Sequence, residues 1–210
     1  MKNNDFIRNN LLAVEKRLFA ILVKSSPVLA TKYKYRRATG KSINLDNPKT
    51  FNEKVQWLKL YWQHPLVAKC ADKYEVREFI QERNCDEILN PLYGVYDATS
   101  EIDWDKLPEK FVLKTTNGCG TNIICKDKGK LDKEEVFTKL NKWLKTDYSL
   151  RFAEIHYSKM TPRIICEKYI ETEDGLLPND YKVFCFNGKP KFILAINERE
   201  TGNHQRYFLI

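Results

Sequence analysis

The stretch from 111 to 128, FVLKTTNGCGTNIICKDK, sets two glycines in a polar loop between short apolar runs, with lysines towards both ends. The chemistry open to such a loop is the holding of an anion. Glycine lets main-chain N–H groups approach phosphate oxygens closely, and a lysine such as Lys114 adds a point charge. The spacing excludes the commoner phosphate loops. A Walker loop needs G-x-x-x-x-G-K-[ST] and a dinucleotide loop needs G-x-G-x-x-G, each running from a strand into a helix. Here FVLK and NIIC are both β-prone, so the loop joins strand to strand. It reads as a β-hairpin glycine flap of the kind that covers phosphates in protein kinases. From these residues alone, a plain glycine-containing turn reads equally well.

Other residues carry weaker signals. In ADKYEVREFIQER (71–83), Lys73 and Arg77 are four apart and share a helix face, where like charges cost stability unless an anion lies against them. Asp103-Trp104-Asp105 has the D-x-D form of a sugar-nucleotide site. It lies in the polar segment ATSEIDWDKLPEK, however, and reads as a surface turn anchored by Trp104. The six cysteines (70, 85, 119, 125, 166, 185) form no C-x-x-C pair, and the three histidines (64, 156, 204) are scattered. No metal-ligand spacing follows, and no nucleophile–base constellation. Cys125, Cys166 and Cys185 sit in apolar, β-prone runs and read as buried thiols.

The elements that must position these groups are of both kinds. Residues 5–24 have near-helical apolar spacing with basic residues between, a pattern of a helix docked on its own domain or lying on a membrane surface. KYKYRRATGK follows as a basic face. Thr50 or Asn52 caps a helix over NPKTFNEKVQWLKLY, and LDKEEVFTKLNKWLK is an amphipathic helix starting at Asp132 and Glu135. Strands are read at LYGVY, on either side of the glycine loop, and at RIICEKYIE. In DYKVFCFNGKPKFILAI, the Asn187-Gly188 pair marks a hairpin. The fold class is therefore α+β with antiparallel sheets and packed helices. At 210 residues, with 42% hydrophobic and 30% charged residues, the chain is long enough for a real core, and its net charge of +8 favours an anionic partner.

In their order, NPKTFNEKVQWLKLY, ADKYEVREF, LPEKFVLKTTNGCGTNIICKDK, RIICEKYIE and NDYKVFCFNGKPKF resemble the ATP-grasp superfamily. Within it, the similarity is to the TupA-like group linked to bacterial cell-surface polysaccharide and teichuronopeptide synthesis. The resemblance covers most of 45–206. Cys119 and Thr121 depart from it, standing where small residues such as Ser or Gly are usual. It implies an ATP-dependent carboxylate ligase, acting through an acyl-phosphate that an amine or similar nucleophile attacks. Lys73 and Lys114 then correspond to the two phosphate-contacting lysines, and Asn117, Gly118, Cys119 and Gly120 to the flap. Glu167, Lys168, Tyr169 and Ile170 correspond to a hinge that reads adenine. Asp180 corresponds to the ribose-holding acid, with Glu171 and Glu173 as competitors, and Lys182 completes an Asp-x-Lys like the Asp-x-Arg of related ligases. Arg199, Asn203 and Arg206 fall near the γ-phosphate and acyl group; the two arginines are the candidate catalytic residues.

The resemblance also implies Mg²⁺, held by an Asp and a Glu on later strands. The expected fold is therefore C-terminally incomplete, with no metal ligand assigned within the chain and the magnesium ligands beyond residue 210. The expected organisation is a basic amphipathic helical segment over 1–44, a helical lead-in over 45–107 and nucleotide-binding subdomains over 108–210. Expected partners are ATP and carboxylate and amine substrates, free or glycan-linked, with no nucleic acid and at most peripheral membrane contact. The expected location is the cytoplasm, up to the inner face of the membrane. Two other classes stay open: a glycosyltransferase or polysaccharide-biosynthesis accessory protein, and a non-catalytic basic module for nucleotide or anionic glycan.

Overall fold

The computed structural model of the chain describes residues 2–197 and 205–209. By compactness the chain divides into two units, Met1–Glu167 and Lys168–Ile210. The first begins with helices α1 (Lys2–Ser25) and α2 (Pro27–Thr39). Ser26 separates them. Its hydroxyl accepts from the Leu29 N–H, and Pro27 takes the first helical position, where its missing N–H costs nothing. Phe19 and Val23 of α1 and Ala30 of α2 are buried together with Ala153, with Leu22 and Leu150 at the margin. Ile43, Leu45 and Leu60 form a second small core.

Helix α3 (Phe51–Tyr61) is capped by Thr50, the first of the two candidates, in a reciprocal capping box with Glu53. The Glu53 carboxylate also accepts from the N–H groups of Asn44 and Lys49. Hydrogen bonds from the Thr50, Asn44 and Lys49 main chain hold its pKa at about 2.

Of the helix expected over 71–83, only α5 (Glu75–Gln81) forms; a separate short helix, α4 (Pro65–Ala71), ends where the expected one begins. The cause is Asp72, whose buried carboxylate accepts from the N–H groups of Tyr74 and Glu75 at 2.8 and 3.0 Å. An aspartate bonding its own following main chain competes with a continuous helix. Lys73 therefore lies in the turn between helices and does not share a helical face with Arg77.

Four strands form the first unit's sheet: β1 (Leu92–Tyr96), β2 (Phe111–Thr115), β3 (Asn122–Cys125) and β4 (Ile164–Lys168), in the order β1-β4-β2-β3. The β1–β4 and β2–β3 pairs are antiparallel. Helix α6 (Lys133–Leu144) starts at Asp132, which accepts from two of its first N–H groups. It buries Val136 and Leu140 in a core with Ile102, Leu107, Phe111, Leu113 and Ile164. Trp104 meets the rings of Phe111 and Phe137 edge-on, so it does anchor its segment. Asp103 pairs with Lys106 at 2.8 Å. The short helix α7 (Ser149–Phe152) packs against α1 and α2.

The second unit contains a meander of β5 (Asp180–Phe186), β6 (Lys189–Asn197) and β7 (Gln205–Leu209), all antiparallel. Asn187 and Gly188 take positive φ of 52° and 74°, as the hairpin pattern requires. Cys125 and Cys166 are buried as expected, but Cys185 on β5 is exposed. Most β5 side chains are exposed in this three-stranded sheet, so an apolar run does not by itself bury its members. The architecture is α+β with antiparallel pairing, compatible with an ATP-grasp-like domain.

Candidate functional site

Strands β2 and β3 carry the glycine loop between them, and β2 sits beside β4 in the sheet. The first half of the loop is buried; only Cys119 and Gly120 reach solvent. Thr116 donates its N–H to the Arg163 carbonyl at 2.9 Å, and its hydroxyl accepts from the Arg163 N–H at 3.1 Å. Thr115 and Thr121 close the base, with the Thr115 N–H on the Thr121 carbonyl at 3.1 Å. The Asn117 amide nitrogen donates to the Thr146 carbonyl at 3.4 Å, and its buried Oδ1 has no hydrogen-bond partner.

The two glycines serve different ends. A Cβ on Gly118 would fall 2.7 Å from two carbons of the Tyr148 ring, so this residue must be small for the loop to lie on that ring. Gly120 has open space around it but a φ of +73°, which side-chain-bearing residues rarely adopt. Tyr148 gave no sequence signal, because nothing in its neighbourhood distinguishes it from an ordinary core tyrosine.

Lys73 and Lys114 come together here. The Lys73 ammonium donates to the Thr115 carbonyl at 2.9 Å, the Thr116 carbonyl at 3.4 Å and the Gly118 carbonyl. Burial pushes its pKa down, and the charge of Lys114 adds to that; Asp72, Cys119 and Glu167 act the other way. Lys114 on β2 pairs with Glu167 at the end of β4, 2.5 Å from nitrogen to oxygen. Two cations thus face one loop with one directly paired carboxylate, since Asp72 is occupied by main-chain donors. A cluster with surplus positive charge, partly removed from water, is a place for an anion with several oxygens.

Arg163, which sequence reasoning passed over, flanks this region. It pairs with Glu75 at 2.6 Å and with Asp97 at 3.5 Å, and its guanidinium lies over the Tyr74 ring. Its signal was only an arginine at the start of a strand. Both carboxylates hold it away from any role as a free anion ligand.

The division between the units falls between Glu167 and Lys168, inside the four residues read as a hinge. Glu167 and Tyr169 are buried, Lys168 is exposed and Ile170 is half exposed. In the second unit Asp180, Ile196 and Arg206 are in register across β5, β6 and β7, and Lys182 lies two residues along β5. Alternation along a strand puts Asp180, Lys182 and Arg206 on one face of that sheet. The Lys182 ammonium is 3.8 Å from the Asp180 carboxylate. Arg199 and Asn203 lie outside the described residues. No three His, Cys, Asp or Glu side chains converge on a metal position among the described residues, so none is assigned to magnesium.

A separate cleft of about 670 Å³ in the first unit is lined by Tyr35, Lys59, Trp62, Phe152, Glu154 and His156, among others. The Lys59 ammonium donates to the Phe152 carbonyl at 2.9 Å, and burial lowers its pKa, as it does that of His156. It does not include the paired lysines or the glycine loop. The surplus of partly buried positive charge lies at the loop, and we place the candidate site there rather than in this cleft.

Against known families, residues 53–210 match the model described as TupA-like ATPgrasp. No curated protein and no solved structure matches the chain.

Proposed function

The chain belongs to the TupA-like ATP-grasp family, and from that premise we propose that it is an ATP-dependent carboxylate ligase whose phosphate site is the Lys73–Lys114 cluster. The observation that carries this reading is the meeting of two cations at one glycine loop with a single directly paired carboxylate. Lys114 would leave Glu167 for phosphate oxygens, and Lys73 would add its charge from beneath the loop. The described carboxylates do not form a magnesium set.

In the proposed reaction a substrate carboxylate oxygen attacks the γ-phosphorus of ATP, and the bond to the β–γ bridging oxygen breaks as ADP leaves. An amine nitrogen then attacks the acyl carbon; phosphate departs and the nitrogen gives up its proton. Neither step uses a protein nucleophile. The cationic cluster would stabilise charge on the transferring phosphoryl group, and the glycine loop would act as the flap that keeps water from the acyl-phosphate. The ribose role of Asp180, the adenine role of Lys168, Tyr169 and Ile170, the supporting role of Lys182 and the acyl-phosphate roles of Arg199 and Arg206 belong to the same proposal. So does a glycan-linked acceptor in cell-surface polysaccharide synthesis, with catalysis in the cytoplasm where ATP is available.

The test is calorimetric. Lys114→Ala should weaken ATP binding by about 2 kcal/mol, the size of a charge-assisted contact. An unchanged affinity in a variant with the parent melting temperature removes Lys114 from the site.

A further inference from the structure

The positive charge of this chain is confined to one end. Residues 1–44 contain ten Lys or Arg against two Asp or Glu, whereas residues 45–210 contain 26 of each. The whole net charge of +8 therefore belongs to the segment that forms α1 and α2. That segment lies before residue 53, outside the span matched by the family.

The same segment has an apolar face that nothing covers among the described residues. Phe19 and Val23 of α1 are buried with Ala30 of α2 and Ala153. Leu11, Val14, Leu18 and Ile21, spaced by three, four and three residues, make a second stripe on α1, and each is between 52 and 66% exposed. At 3.6 residues per turn these four share one face. Arg17 lies three after Val14 and four before Ile21, and Lys24 lies three after Ile21, so the two cations border the stripe. Both are exposed, as are Lys32 and Arg36 on α2. Glu15, one of the two acids of this segment, is paired with Arg37 at 3.4 Å.

We propose that α1 is a docking face for an anionic lipid surface. Its outer stripe enters the headgroup–acyl boundary, and Arg17, Lys24 and the cations of α2 meet lipid phosphates. An interfacial helix needs this combination of apolar stripe and basic border. A nucleic acid or acidic glycan would use the cations but leave four large apolar side chains in water. No described helix is long and apolar enough to cross a membrane, so the helix lies in the surface plane. This inference does not depend on the ligase reading.

The experiment is vesicle co-sedimentation of the full chain. Vesicles of equal parts phosphatidylcholine and phosphatidylglycerol are compared with phosphatidylcholine alone, at low and at molar salt. Binding is expected to the anionic vesicles at low salt and to be largely lost in the other conditions. Arg17→Gln and Lys24→Gln should each lower the partition about fivefold. The pair Leu18→Glu and Ile21→Glu should abolish it, while the melting temperature holds because both side chains are exposed in the free protein. If that pair lowers the melting temperature, Leu11→Gln with Val14→Gln takes its place. Three results overturn the proposal: no binding to the anionic vesicles, binding that survives loss of the stripe, or a dimer that the stripe variants dissociate in a protein that ignores vesicles. Retention on duplex DNA or an acidic polysaccharide without vesicle binding also overturns it, in favour of a polyanion site.

Discussion

Lys73 has two demands on one ammonium. It holds loop carbonyls in the free protein, and in the proposed reaction it lends charge to phosphate. Its pKa lies below the ordinary 10.5 because burial and Lys114 oppose the charged form. The unfolded chain keeps that proton to higher pH, so between the two pKa values the unfolded state binds more protons. The contribution of Lys73 to stability therefore rises with pH in that window. ATP affinity should run the other way, falling as pH climbs through the depressed pKa, and the fall should flatten in Lys73→Met. Calorimetry across the alkaline range checks both curves. Cys119 offers a second probe, since it is exposed at the loop tip, whereas burial pushes Cys166 to about 12 and keeps it inert. ATP should slow alkylation of Cys119 and leave that of Cys185 unchanged. Equal rates at Cys119 with and without ATP, in a protein shown to bind it, would place the nucleotide away from the loop. Both lysines and both glycines were legible in the sequence, because their types and spacing carry the chemistry. Tyr148 was not, because the ring under Gly118 is set by tertiary packing.

Elements were legible where local signals agreed. The capping box of α3 combines Thr50, Glu53 and an apolar face, and Asn187-Gly188 has the φ angles its hairpin demands. The continuous helix over 71–83 failed because Asp72, an ordinary helix residue by pattern, turns its carboxylate onto the following main chain and ends α4. That break puts Lys73 within reach of the loop. At this scale, Thr50→Ala should cost about 1 kcal/mol, read from denaturant unfolding, because it removes the acceptor for the Glu53 N–H. The loop between β2 and β3 is only partly exposed. Its buried half, held by Lys73, Arg163 and Tyr148, should exchange amide hydrogens slowly even without nucleotide. Cys119 and Gly120 should exchange fast and slow down with ATP. Gly118→Ala should be the more damaging glycine variant, by about 1–3 kcal/mol, since its Cβ meets a buried ring; Gly120→Ala should cost about 1 kcal/mol through its positive φ.

On the scale of the whole molecule, burial is unevenly shared. In the first unit Phe111, Leu113, Cys125, Ile164, Ile165 and Cys166 are fully buried, all on the sheet that α6 covers. Among the described residues of β5, β6 and β7, Ala195 alone is buried, and Tyr181, Val183, Phe186, Tyr207, Phe208 and Leu209 are exposed. What holds the second sheet is its hairpin geometry and a cluster of rings: Phe184 stacks on Phe192 at 4.5 Å, and Phe208 meets Phe192 edge-on at 6.0 Å. Cross-strand aromatic pairs contribute about 0.5–1.5 kcal/mol each beyond their area, far less than a closed core supplies. Local opening free energies follow buried contacts, so the two units should not exchange alike. Amides of β5–β7 are expected to exchange through local opening, well before those of β2 and β4, which should require global unfolding. Rising denaturant should erase the protection of β5–β7 first, and Phe192→Ala should accelerate their exchange while leaving β2 and β4 unchanged. Protection lost from both sheets in a single step, with Phe192→Ala lowering both together, would show instead that the chain unfolds as one cooperative body.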